Sequence, residues 1–259
     1  MKRIYLAILL PVAAILFFAC RKNEAAGSEN EIPAHIKERV TALNLSVQGM
    51  YKTDGGYIAE QDIFLSNDLL NSTVQKTHYL GPKQEHYRTA SLVTGLPRVI
   101  GVRYSGTTAS ISNAINTAIA RYNALNLQLR FQRVTAGGNI LVSNVSGVSY
   151  NALAGFPSGG NPYNSIRVNT AVAAWPANTI ATLIAHEIGH CIGFAHTDLL
   201  DDFSCGGIAP APQPISFIHI PGTPTLGSGD PNSWMVRCIS PGINRPFTAF
   251  DQLALNYLY

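Results

Sequence analysis

The run His186-Glu187-Ile188-Gly189-His190-Cys191-Ile192-Gly193-Phe194-Ala195-His196 constrains this chain more than any other stretch of its 259 residues. On an α-helix, with roughly 100° of turn per residue, His186 and His190 fall about 40° apart on one face and one turn apart along the axis, so two imidazoles can grip one ion. Glu187 is poorly placed to ligate that ion, but it can reach a water bound there and act as general base. Gly193 permits the positive φ at which a helix stops and the chain reverses, bringing His196 in as a third ligand. Three protein ligands leave a fourth position open, which is the coordination of a catalytic zinc rather than a structural one. The helix start falls at Asn178 or Thr179, and Ile180, Leu183, Ile184 and Ile188 give it an apolar surface to lay on a sheet.

The full pattern H-E-x-x-H-x-x-G-x-x-H resembles the metzincin clan of zinc endopeptidases. Within it, His-Glu-Ile-Gly-His followed by Cys-Ile-Gly-Phe-x-His-Thr-Asp is similar to the bacterial dual-action HEIGH metallopeptidases, on the astacin-like branch. The resemblance implies one zinc held by His186, His190 and His196, with Glu187 as the base. It also implies a methionine-bearing turn beneath the metal, for which Ser233-Trp234-Met235 stands in the right order. The implied fold is α+β: a twisted mixed β-sheet with two long helices, one of them carrying the zinc motif, over an irregular C-terminal subdomain that ends in a helix. The implied activity is hydrolysis of peptide bonds in a protein or peptide. Ala152-Leu153-Ala154-Gly155-Phe156-Pro157 resembles the upper edge of the clan's cleft, where an extended substrate adds as a strand, so Ala154 and Gly155 are candidate substrate-edge positions; a plain surface loop is the alternative. Arg237 stands where astacins carry a tyrosine, so no tyrosine ligand is expected. Glu60-Gln61-Asp62-Ile63 resembles the aspartate-bearing stretch of astacin pro-segments, which makes Asp62 a candidate latency ligand.

The chain opens on Lys2 and Arg3, runs apolar from Ile4 to Phe18 and reaches Ala19-Cys20, which reads as a signal peptide over 1–19 and a lipidation site at Cys20. The apolar run is short for a membrane span and contains Pro11. Residues 20–32 then read as a tether, 33–90 as a pro-segment-like region, and 91–259 as the catalytic domain, with its upper half to about residue 194 and its lower half from 195. Such a protein is exported and held on a membrane through lipid, in the periplasm or at the cell surface; a cut near Arg88 would release the catalytic domain. It is expected to be a monomer. Charged residues make up 13% with no basic cluster, which argues against a nucleic-acid partner.

Periodicity gives strands over Arg98–Tyr104, Leu127–Val134, Asn139–Val145 and Ser165–Thr170, and a helix over Thr107–Asn126. Gly137-Gly138 reads as the turn between the second and third of these strands. A helix over Thr248–Tyr259 carries Phe250, Leu253, Ala254 and Leu258 as its apolar stripe. If Cys20 is lipidated, an oxidising compartment favours pairing two of the other three cysteines, Cys205 with Cys238 or Cys191 with Cys205. Asp198 either orients a ligand or anchors the chain reversal. His35, His78, His86 and His219 lack ligand spacing to one another, apart from a loose His78 and His86 pair, and read as surface or hydrogen-bonded residues. Two rival readings remain: a zinc-stabilised binding or adhesion lipoprotein without turnover, against which Glu187 argues, and a zinc amidase acting on a non-protein amide.

Overall fold

Short runs of alternating apolar residues broken by turn residues divide the first part of the chain into small elements, whereas longer periodic runs build the rest. The computed structural model describes residues 32–43, 45–71, 86–198, 205, 217–224 and 230–259; the expected signal peptide and the lipidation site at Cys20 lie outside these, as does His78. Helix α1 (Ala34–Ala42) is followed by an antiparallel meander of β1 (Tyr51–Thr53), β2 (Gly56–Ala59) and β3 (Ile63–Ser66), then by a short helix α2 (Asn67–Asn71). Ile36, Val40, Leu45, Ile63, Leu65 and Leu70 close one apolar cluster here, and Ala195 and Phe217 belong to the same cluster. The meander is thereby packed against the end of the histidine motif, at Ala195, and against Phe217.

A two-residue strand β4 (Tyr87–Arg88) leads into β5 (Arg98–Tyr104), helix α3 (Ala109–Asn123), β6 (Leu129–Val134), β7 (Ile140–Val145), β8 (Ala152–Leu153) and β9 (Ser165–Asn169). These last five strands form one sheet in the order β6-β5-β7-β9-β8, with β8 antiparallel to β9 and the other pairs parallel. Gly137-Gly138 is therefore not a hairpin turn between β6 and β7, which are not neighbours. The chain steps across β5 at Gly101 there, with Asn139 N donating to Gly101 O at 2.7 Å. Gly138 has φ 95°, and a Cβ on it would stand 3.0 Å from the Gly101 carbonyl oxygen, so the crossing needs glycine.

Helix α4 (Ala177–Ile192) carries the histidine motif and packs with α3 on the sheet. It begins two or three residues earlier than a cap at Asn178 or Thr179 would place it, after Pro176 and without a side-chain cap. Thr179 and Thr182 turn inward instead: their hydroxyls accept Gly242 N at 3.2 Å and Arg245 N at 3.0 Å, which hangs the C-terminal segment on the helix. Every residue from Thr179 to Ile192 is buried, so the polar groups on this helix need internal partners. Gly193, at φ 111°, ends the helix in the left-handed conformation expected of it. Beyond it, β10 (Ile218–His219) pairs antiparallel with β4, and α5 (Ala249–Leu258) closes the chain behind a Thr248/Asp251 capping box.

The apolar stripe expected on α5 is rotated. Phe250 and Leu253 are exposed, while Asp251, Ala254 and Leu255 face the core. The cause is Asp251, whose carboxylate takes Thr248 N at 2.8 Å and the buried His86 ring at 2.8 Å, and that pair fixes which face turns inward. Among the described residues no helix is long and apolar enough to cross a membrane.

Candidate metal centre

One turn of α4 separates His186 from His190, and the αL residue Gly193 swings the chain back so that His196 meets both. The Nε2 atom of His196 lies 3.2 Å from that of His190 and 3.3 Å from that of His186. Each ring is fixed by its other nitrogen: His186 Nδ1 bonds to Trp234 O at 2.8 Å, His190 Nδ1 to Phe194 O at 2.8 Å and His196 Nδ1 to Glu60 Oε2 at 2.9 Å. All three partners are acceptors, so each Nδ1 carries a hydrogen, and each Nε2 faces the centre, where it offers a lone pair once its own proton is lost. Lone pairs directed at one point from 3.2 Å apart repel unless a cation or proton lies between them, so the donor set fits a divalent metal.

Asp62 joins this cluster from the turn between β2 and β3. Its Oδ2 lies 3.2 Å from His196 Nε2 and 3.3 Å from His186 Nε2, and one atom each from Asp62, His186, His190 and His196 falls within a 4.8 Å group. Burial raises the Asp62 carboxyl, but the charge of His196 and the hydrogen bonds of His186 and His196 outweigh it and hold the group well below the usual carboxylate range. Burial likewise pulls the His196 ring down, and the carboxylates of Asp62 and Glu60 overcome that, pushing it up to about 9. His190 is held well below its ordinary value by burial and by the two neighbouring rings, which keeps it neutral and able to ligate.

Glu187 is fully buried beside the cluster, and neither carboxylate oxygen has a hydrogen-bond partner in the structure. Burial, and after it the charge of Asp62, pushes its carboxyl well above the usual range. A buried acid with no partner beside three converging imidazoles is costly unless a polar ligand comes to meet it. Next to it lies a cavity of about 190 Å³, lined among others by Tyr150, Leu183, Glu187, Arg237 and Ser240.

The methionine turn sits under this arrangement. Met235 is fully buried, Thr197 N donates to Met235 O at 3.0 Å, and Trp234 O holds His186. Gly189 makes room for the turn, because a Cβ there would press on Met235 Sδ and Trp234 Nε1. Asp198 anchors the reversal, accepting Arg237 N at 2.9 Å. Cys205 and Cys238 are disulfide-bonded and Cys191 is a buried free thiol, which excludes the Cys191–Cys205 pairing. At the sheet edge, Ala154 N donates to Asp62 O at 3.0 Å and Phe64 N to Ala154 O at 2.7 Å, a parallel bridge between the chain's own 62–64 stretch and the expected substrate edge. Gly155 packs under the ring of Tyr163, too close for a Cβ.

Sequence reasoning missed three residues. Glu60 has no spacing relation to the motif, and its Oε2 also lies 3.2 Å from Arg237 Nη2. His86 and Asp251 are both fully buried and paired at 2.8 Å, and Trp234 N bonds to the same Asp251 carboxylate at 3.3 Å, so they brace the methionine turn from behind. A helix-capping Asp following Thr248 was the only local signal for any of them.

Three imidazoles aimed at one point with a partnerless acid beside them define the class: a metal-dependent hydrolase centre. Residues 57–259 match the family model of the dual-action HEIGH metallo-peptidases, and the chain belongs to that family. It is a metallopeptidase. Among solved structures it is similar to myroilysin, at 14% identity over 65% of this chain and 82% of that one with a TM-score of 0.45. A second myroilysin structure gives 15%, 73% and 97% with 0.44. High choriolytic enzyme 1, a hatching-enzyme zinc-protease of the medaka fish Oryzias latipes, gives 18% identity over 62% of this chain and 88% of that one, with a TM-score of 0.38. No curated protein matches the chain.

Proposed function

We propose that the chain is an endopeptidase in which His186, His190 and His196 hold one zinc and Glu187 is the general base. The observation that carries this reading is the pairing of three Nε2 atoms on one point with a buried Glu187 whose oxygens are free to take a proton. A zinc ion bound there supplies Lewis acidity, lowering the pKa of a water towards 7 and polarising a carbonyl. Glu187 removes the proton from the attacking water on a carboxylate oxygen and returns it to the leaving nitrogen. Ala154, at the sheet edge, pairs with the substrate backbone through the N–H and C=O that now bond to residues 62–64, and the cavity beside Glu187 receives a substrate side chain.

In this arrangement Asp62 covers the metal's remaining position and is the latency ligand, with 62–64 lying along the edge that substrate needs. Met235 and the disulfide between Cys205 and Cys238 support the floor of the cleft. Export, lipidation at Cys20 and membrane attachment complete the reading; mass spectrometry of the natural product, finding either a lipidated Cys20 or an N-terminus near Thr89, tests that part.

The main test is hydrolysis of a denatured protein by the zinc-loaded chain and its Asp62→Ala variant, with and without chelator. Peptide products that vanish with chelator and return with zinc support the reading. Zinc binding without turnover in either form favours a binding lipoprotein, and turnover confined to non-protein amides favours an amidase.

A further inference from the structure

The three metal-facing imidazoles are steadied by different kinds of group. His186 and His190 donate to backbone carbonyls, of Trp234 and Phe194, which the packed core holds in place. His196 donates to a carboxylate, that of Glu60, 136 residues away. A carboxylate behind an imidazole fixes its tautomer, aims the opposite nitrogen and raises its basicity, and a charge-assisted bond does so more strongly than a carbonyl dipole.

Glu60 is held for that task at some expense. Glu60 and Gln61 adopt φ 52° and 77°, consecutive left-handed residues neither of which is glycine, each costing on the order of 1 kcal/mol or more. The carboxylate is engaged on every side: Oε1 accepts Ser46 N at 2.9 Å and Oε2 pairs with Arg237 Nη2 at 3.2 Å. Arg237 Nε also lies 3.5 Å from His196 Nδ1. Without Glu60, two N–H donors would face each other across that gap, and the ring of His196 would lose its orienting acceptor. The match to the family begins at Tyr57, so this turn falls within the matched region.

Resting on the metalloprotease reading, we propose that Glu60 is the positioning residue for the third metal-binding histidine, so that one turn both secures the metal, through Glu60, and covers it, through Asp62. A chain deprived of this turn keeps the two helix histidines aligned and holds its metal less firmly through His196. The latent form is then the form best able to capture zinc, and opening the site weakens its grip on the ion.

The test is the zinc affinity of the full chain, by competition with a chromophoric chelator, for the wild type, Glu60→Gln and Glu60→Ala, with melting of each protein in excess chelator as a fold control. Glu60→Ala is expected to bind zinc about 10–100-fold more weakly. Glu60→Gln should fall between, since its amide oxygen still accepts the hydrogen bond without charge, and the cobalt-substituted variants should show shifted visible spectra. Variants that bind zinc within about two-fold of wild type overturn the proposal; if they also melt lower in chelator, Glu60 is a structural anchor only. Should Glu60→Ala fail to fold, Glu60→Gln decides alone. A wild-type chain that binds no zinc overturns the metalloprotease reading and this inference with it, whereas wild-type binding with unaffected variants overturns the inference alone.

Discussion

The metal centre has two sides built on opposite principles. On one side, α4 presents His186, Glu187 and His190 and the loop after it presents His196, on a stretch buried continuously from Thr179 to Asp198. Apolar packing fixes these residues, and moving any of them means opening the main core. On the other side, Glu60 and Asp62 sit on a tight turn with two strained residues, tied to the cleft by a short parallel bridge at Ala154 and by ion pairs. Strain kept in place by surrounding contacts is released when those contacts are broken. The difference teaches which part can move: the helix side is held by the core, and on the proposed function the turn side is the part that gives way when substrate takes the edge of the sheet.

The sharpest break between the two sides is catalytic. Glu187→Gln should lower peptide hydrolysis by at least about 10³-fold while zinc content stays at one per chain, measured by steady-state assay and metal analysis; a variant with normal turnover removes the base from the helix side. Next in size is the disulfide, which lies against the turn, with Gln61 Nε2 at 3.9 Å from Cys205 Sγ. Closing a 33-residue separation, it should stabilise the fold by about 3–4 kcal/mol, read as the loss in chemical denaturation of the Cys205→Ser/Cys238→Ser variant. Gly189→Ala pushes the methionine turn away from α4 and should cost about 1–3 kcal/mol by the same measurement. Asp62→Ala should raise the activity of the full chain, by about tenfold if the covered state dominates, which corresponds to about 1.4 kcal/mol; unchanged or lower activity means the turn does not block the site.

A pH dependence of the metal-free protein probes the pairing between the two sides. His196 is pushed up to about 9 in the fold, above its unfolded value of about 6.5. The stability from its pairing with Asp62 and Glu60 is therefore fully present below about pH 6.5 and lost as pH rises through about 9, a loss that denaturant titrations in chelator can follow. The same titration on Asp62→Ala should be flatter.

The helix side was legible because its ligands obey a local rule. A spacing of four residues on a helix and a glycine before the third histidine are enough to place His186, His190 and His196, and periodicity placed the strands from Arg98 to Val145 within a few residues. Strand neighbours were not legible: Gly137-Gly138 has the composition of a hairpin, and only the sheet order shows the chain stepping past β5. Nor was the turn side, apart from Asp62 through family likeness. Glu60 reaches His196 across most of the chain, and nothing in its neighbours announces two left-handed residues. The face of α5 was misplaced for a related reason, since a buried hydrogen bond between Asp251 and the distant His86 overrode the apolar stripe. Contacts between residues far apart in sequence are fixed by tertiary packing, which local pattern does not encode.

X-ray absorption at the zinc edge of the loaded full chain tests the central claim most directly, by counting the imidazoles around one bound ion. Three imidazole nitrogens at about 2.0–2.1 Å with oxygen as the remaining donor, and an oxygen contribution altered by Asp62→Ala, are the predicted result. Two imidazoles or fewer, or sulfur in the coordination shell, would contradict it.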